Sequence, residues 1–141
     1  MTAKDLLKAQ MNEAEYQLGR VLDGFENGLE DEKPVPTIMS AHEQVEHLTE
    51  VYIAAAEQVA GESHEWGTYS PPDPEWHAMI AELWRRRAEA EQVILASDDC
   101  TILSVGSAFL VSHDNYHIGQ LCTLRIALDT VWDPYCIYPS D

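Results

Sequence analysis

Apolar residues recur in steps of three and four over four stretches of the chain, and the segments between them are rich in proline, glycine and acidic side chains. Leu7, Met11, Ala14, Leu18, Val21 and Phe25 form the first stripe, the pattern of one buried face of an amphipathic helix. The acidic, proline-bearing stretch ENGLEDEKPVP then reads as a loop. A second helix is predicted from SAHE, where Ser40 caps the helix and Glu43 can reach back to it. Val45, Leu48, Tyr52, Ala55 and Val59 continue it, and Gly61 stops it. After the connector GESHEWGTYSPP, Asp73 and Pro74 predict the start of a third helix. Its stripe is Trp76, Ile80, Leu83, Ala90 and Ile94, with Arg85, Arg86 and Arg87 read as a solvated basic run.

The fourth stretch is predicted to start at SDDC with Ser97 or Asp98 as cap, and it carries Ile102, Val105, Phe109, Tyr116, Leu124 and Leu128 at helical spacing. The tail WDPYCIYPSD is expected to pack over the helices rather than to form another element. Four helices with no alternating strand pattern predict an all-α four-helix bundle, with a long crossover between helices 2 and 3. With 141 residues, 45% of them hydrophobic, the chain is expected to be one domain over 1–141.

Charge changes the picture of partners. Asp and Glu number 25 against 8 Lys and Arg, a formal net charge of -17, so the surface field repels phosphate backbones and anionic lipid. Nucleic acid and membrane are therefore not expected as partners. Cys100, Cys122 and Cys136 are widely spaced and never paired as C-x-x-C, which argues against a disulfide framework or a cysteine zinc site. The first twenty residues mix charge into every turn, unlike a secretory signal, and no stretch is long enough for a membrane span. A soluble cytoplasmic protein is the expectation.

The candidate chemistry lies in the fourth stretch. Positions four apart on a helix differ by about 40°, so His113 and His117 share a face. The run Ile102, Gly106, Phe109, His113, Tyr116, Gln120 places them on the side predicted to be buried. A metal site there needs a third ligand from a facing helix. Of the remaining histidines, His42 and His47 are five apart in HEQVEH, about 140° around the helix, so only one can face the core. His47, beside Leu48, is the better placed, and His42 lies in the first turn near solvent. His64 in the connector and His77 at the start of helix 3 are expected to be exposed. Asp114 points about 100° away from His113 and is not expected to act as a catalytic base.

Two stretches carry a family resemblance. HDNYHIGQLCTLRIAL is similar to the H-x-x-x-H-x-G-Q signature and arginine-containing helical tail of the DinB/YfiT-like superfamily of small helical metalloproteins. MSAHEQVEHL resembles that family's W-S-x(6)-H-L segment, with Met39 where tryptophan is usual and His47 eight residues later. The resemblance implies an up-down-down-up bundle, metal ligation by His47, His113 and His117, and a homodimer.

Three neutral imidazoles at about 2.0–2.1 Å hold a divalent ion with a position left open, which suits zinc or nickel first and iron also. Gln120, one turn after His117, is placed to orient a ligand or water. Glu43, one turn before His47, is either the helix cap or a partner for the free ring nitrogen of His47. Two enzyme readings follow from the resemblance, both with a small-molecule substrate. One is hydrolysis through a metal-bound water. The other is S-transfer or isomerisation through the thiolate of a low-molecular-weight thiol such as bacillithiol, mycothiol or glutathione, for whose carboxylates Arg85, Arg86, Arg87 and Arg125 are the available cations. The alternative is a non-catalytic, metal-stabilised bundle or stress-response interaction protein.

Overall fold

The computed structural model describes residues 1–25 and 28–140, and among these every regular element is helical. Helix α1 is Ala3–Leu22, α2 is Ala41–Val59 and α3 is Trp76–Leu95. The fourth helix, α4, runs through three consecutive stretches: α-helical Cys100–Gly106, Ser107–Ser112 with wider π hydrogen bonding, and α-helical His113–Leu128. Single 3-10 turns occupy Leu29–Asp31 and Pro134–Ile137.

The stripe of α1 is buried as its pattern predicts, but the helix ends at Leu22, before Phe25. Gly24, at φ +87°, turns the chain there, and Phe25 reaches the core from outside the helix, packing near Trp76. Arg125 of α4 closes that end. Its Nη1 donates to the carbonyl of Val21 at 2.8 Å and also to that of Asp23, satisfying acceptors that a helix terminus leaves open. A Cβ on Gly24 would lie 2.6 Å from Arg125 Nη2, so both the backbone angle and the space require glycine. In ENGLEDEKPVP, residues 26 and 27 lie outside the described residues, and the loop expected there contains the 3-10 turn Leu29–Asp31.

The other helix starts differ by a residue or two from expectation, except that Ser40 and Glu43 form the capping box of α2 as predicted. Glu75 caps α3, with Asp73 bracing the turn by accepting from the Glu75 amide at 3.0 Å. Asp99, rather than Ser97 or Asp98, caps α4. The tail packs over the bundle but includes one turn of helix, where Ile137 is buried and Arg20 donates to the carbonyl of Cys136 at 3.1 Å.

Contacts between named residues fix the helix directions. Leu7 and Ile94 both approach Gly106, while Gly24 meets Arg125, so α1 runs parallel to α4 and antiparallel to α3. Early in α2, His42 touches Met79, and a turn or more later Tyr52 shares Asp114 with Arg87, so α2 and α3 are parallel neighbours. The order is up, down, down, up. A helix of 19 residues such as α2 spans about 28 Å, which segment 60–75 must recross before α3 begins. Among the described residues no helix is long and apolar enough to cross a membrane.

The buried face of α4 departs from expectation. Leu103, Leu110, Asp114, His117, Leu121 and Leu124 point inward, whereas Tyr116 is 61% exposed and His113 and Gln120 are half-buried. Adjacent apolar pairs, Ile102–Leu103 and Phe109–Leu110, leave two candidate faces about 100° apart. Packing of α1 and α3 on Gly106 selects the later one. A Cβ there would meet Ile94 at 3.0 Å and Leu7 at 3.1 Å.

Candidate metal centre

Helices α2 and α4 run antiparallel and bring His47 opposite His113 and His117. The His47 and His113 Nε2 atoms are 3.3 Å apart. The three ring centroids are separated by 4.6, 5.1 and 5.2 Å, and the ring planes are mutually inclined by 56°, 62° and 55°. Nearly equal spacings and tilts make a three-bladed propeller, with one ligand atom from each ring within 4.8 Å of the other two. Metal–nitrogen bonds of about 2.0–2.1 Å at a tetrahedral angle place two ligand nitrogens about 3.3 Å apart. The observed Nε2 separation fits that geometry.

The electrostatics fit as well. Burial, reinforced by the neighbouring imidazole of His47, lowers the pKa of His113 to about 4. Burial, with His113 and His47 adding to it, lowers that of His117 to about 3. Both rings are neutral at pH 7 and offer lone pairs. Gln44 fixes one of them. Its Nε2 donates to the carbonyl of Met39 at 3.3 Å, so its Oε1 accepts from His117 Nδ1 at 2.9 Å. That bond holds the proton on Nδ1 and leaves the Nε2 lone pair for a cation. The Nδ1 atom of His113 is buried without a hydrogen-bond partner. Without an ion the His47 and His113 rings can share a proton between their Nε2 atoms, and a single cation in that space would instead take a lone pair from each ring.

Gln44 is the residue that sequence reasoning passed over. Its spacing of three before His47 puts both on one face of α2, which was the available signal. The residues expected behind the ligands are engaged elsewhere. Glu43 accepts from the Ser40 amide at 3.4 Å and pairs with Lys33 at 2.7 Å, so it takes its capping alternative. Gln120 donates to the Tyr116 hydroxyl at 2.7 Å.

Of the remaining histidines, His77 is exposed as expected, beside Glu75, and His42 bridges Asp31 and Met79. His64 is not exposed. The connector folds it back onto α2, with Nδ1 2.7 Å from Glu57 and Nε2 3.0 Å from Glu50, and the indole of Trp66 edge-on to its ring. Burial opposes its charging, but the bonds to Glu50 and Glu57 outweigh that and raise its pKa.

A second polar cluster lies beside the first. Asp114 is fully buried, accepting from the Tyr52 hydroxyl at 2.6 Å and from Arg87 Nε at 3.1 Å. Arg85 and Arg86 lie on the outer side of α3 with Glu82 and Glu89, as a solvated run should, but Arg87 is only 1% exposed. Its Nη2 donates to the carbonyls of Met11 in α1, at 2.9 Å, and Leu110 in the π turn, at 3.3 Å. Burial raises the pKa of the Asp114 carboxyl, against the pull of Arg87 and Tyr52. Because Asp114 is held by these two partners, it does not face the histidines as a base.

Next to the histidines, a cleft of about 680 Å³ lies between segment 34–39 and α4, with Gln44, Tyr116 and Gln120 in its wall. In comparisons with known proteins, no family model matches the chain, and no curated protein or solved structure matches it.

Proposed function

We propose that His47, His113 and His117 hold a divalent metal ion, zinc or nickel in preference to iron, and that the chain is a metal-dependent hydrolase of the DinB/YfiT-like kind. The observation that carries this reading is the propeller of three imidazole rings with two Nε2 atoms 3.3 Å apart. The up-down-down-up order and the H-x-x-x-H-x-G-Q stretch support the family assignment. A bound ion with three protein ligands and an open position supplies Lewis-acid chemistry, polarising a carbonyl and bringing the pKa of water toward about 7. The chain's own part is to hold the ion on three nitrogens and to fix the His117 ring through Gln44.

Hydrolysis is favoured over thiol transfer by the positions of the cations. Arg85 and Arg86 pair with Glu82 and Glu89, Arg87 is buried on Asp114, and Arg125 is packed into the end of α1. None of these is beside the histidines to receive the carboxylates of a thiol cosubstrate. The engagement of Asp114 by Arg87 and Tyr52 favours, as a second reading, a bundle that binds metal for stability alone.

The test is His117→Ala. Metal uptake, measured by elemental analysis of untagged protein, falls from one equivalent to background while the helical circular dichroism is retained. Unchanged metal content overturns the assignment.

A further inference from the structure

We propose that the cleft between segment 34–39 and α4 is the substrate pocket of the histidine site, and that it takes an uncharged, amphipathic small molecule. The first half of this statement rests on the metal reading above; the existence and selectivity of the pocket do not.

Size is the first observation. About 680 Å³ is the volume of a pocket for a metabolite-sized ligand. Charge is the second and the more telling. The chain carries 25 acidic and 8 basic residues, yet none of the residues lining this cleft is charged. An anion entering would meet the field of a protein with net charge -17 and find no cation in the wall. A cation would be drawn toward the surface but would lose its hydration inside without a countercharge. A neutral molecule meets neither cost.

The rim is the third observation. Val35, Met39 and Tyr116 are 48%, 36% and 61% exposed, and these large apolar side chains gather at the mouth of one cleft. Apolar surface left in water around a concave site is recovered when a ligand covers it. The polar groups are few, Gln120 and Thr123 among them, which suits one or two oriented hydrogen bonds to an otherwise apolar ligand.

The link to the histidines runs through Gln44 and Tyr116. Gln44 forms part of the cleft wall, and its Oε1 is the atom that holds His117 Nδ1. Tyr116, at the rim, lies edge-on to the His117 ring, with centroids 5.2 Å apart. A molecule seated in the cleft therefore touches the two residues that pack on His117.

The experiment uses three probes of one chain length, 1-hexanol, hexanoate and hexylammonium, titrated into the full protein with and without zinc. Imidazole and amide signals are followed by nuclear magnetic resonance. Hexanol is expected to bind at least about tenfold more tightly than either ion and to shift the His117 ring signals. Gly119→Leu adds a side chain to the wall at a position where nothing lies within 4 Å, and Thr123→Trp fills the same space from a neighbouring turn. Either variant should abolish hexanol binding and leave zinc uptake unchanged. Equal affinity for the three probes, or binding that survives both substitutions, overturns the pocket. Binding that leaves His117 unperturbed overturns its assignment to the histidine site, and so does a dimer that closes the cleft and takes up no probe. Failure of zinc uptake in the unmodified protein overturns the metal reading, while selective hexanol binding that both substitutions abolish still supports the pocket.

Discussion

Two polar clusters occupy neighbouring turns of α4, and they are built on opposite principles. Around Asp114, an acid, a hydroxyl, a guanidinium and two backbone carbonyls satisfy one another, and the group ties all four helices together. Around His117, three bases face one another, and among the described residues no acid joins them. A closed set of charges in a core costs its desolvation and returns rigidity and register, so it needs nothing further. An open set of lone pairs is incomplete until something electrophilic arrives. Adjacent residues, Asp114 and His113, thus belong to a structural joint and to a binding site.

The sharpest way to separate them is to remove Asp114. Asp114→Ala strands Arg87 in the core and should lower the unfolding free energy by about 3–5 kcal/mol, measured by urea denaturation. The fraction still folded should take up zinc. A loss under about 1 kcal/mol would mean that the joint is dispensable.

A smaller effect is expected on the other side of the comparison. Gln44→Ala removes the acceptor from His117 Nδ1 and should weaken zinc binding about 10–100-fold in a chelator competition, with the circular dichroism unchanged. Undiminished affinity would show that packing alone orients the ring.

On pH the two clusters oppose each other. In metal-free protein His113 and His117 titrate at about 4 and about 3, against 6.5 unperturbed, so the unfolded chain binds more protons below about pH 6.5 and stability falls as pH drops toward 4. Asp114, raised from 3.8, favours the folded state on acidification over the lower part of the same range. The deep lowering at His113 and His117 outweighs Asp114 and also His64, whose raised pKa likewise adds stability on acidification, and leaves a net loss toward acid, measured as the midpoint of urea unfolding between pH 7 and 4. A midpoint that rises on acidification would show that the raised groups, Asp114 and His64, dominate.

The helices and the histidine triad were legible in the sequence because both depend on periodicity. Ser40 with Glu43, the stripes of α1, α2 and α3, and the pairing of His113 with His117 each follow from 100° per residue. The Asp114 joint was not legible as such, although a trace of it was present. The α3 stripe steps from Leu83 to Ala90, and Arg87 fills the vacant inward position, hidden because its two neighbours are also arginines. On α4 two apolar faces compete, and the choice between them is made by Gly106 meeting Ile94 and Leu7, contacts between residues far apart in sequence. His64 depends on how a non-periodic connector folds back to Glu50 and Glu57, which no local pattern encodes.

The wide turn Ser107–Ser112 gives α4 two independently indexed halves. The first half is keyed by the close fit at Gly106, and the second by the rings of His113 and His117. The wider turn already takes up about one extra residue of winding, so inserting a further residue between 107 and 112, worth about 100° of α-helical rotation, would swing one half against the other like a slipped gear tooth. The imidazoles would then leave the partner on α2 while every heptad on either side stayed intact.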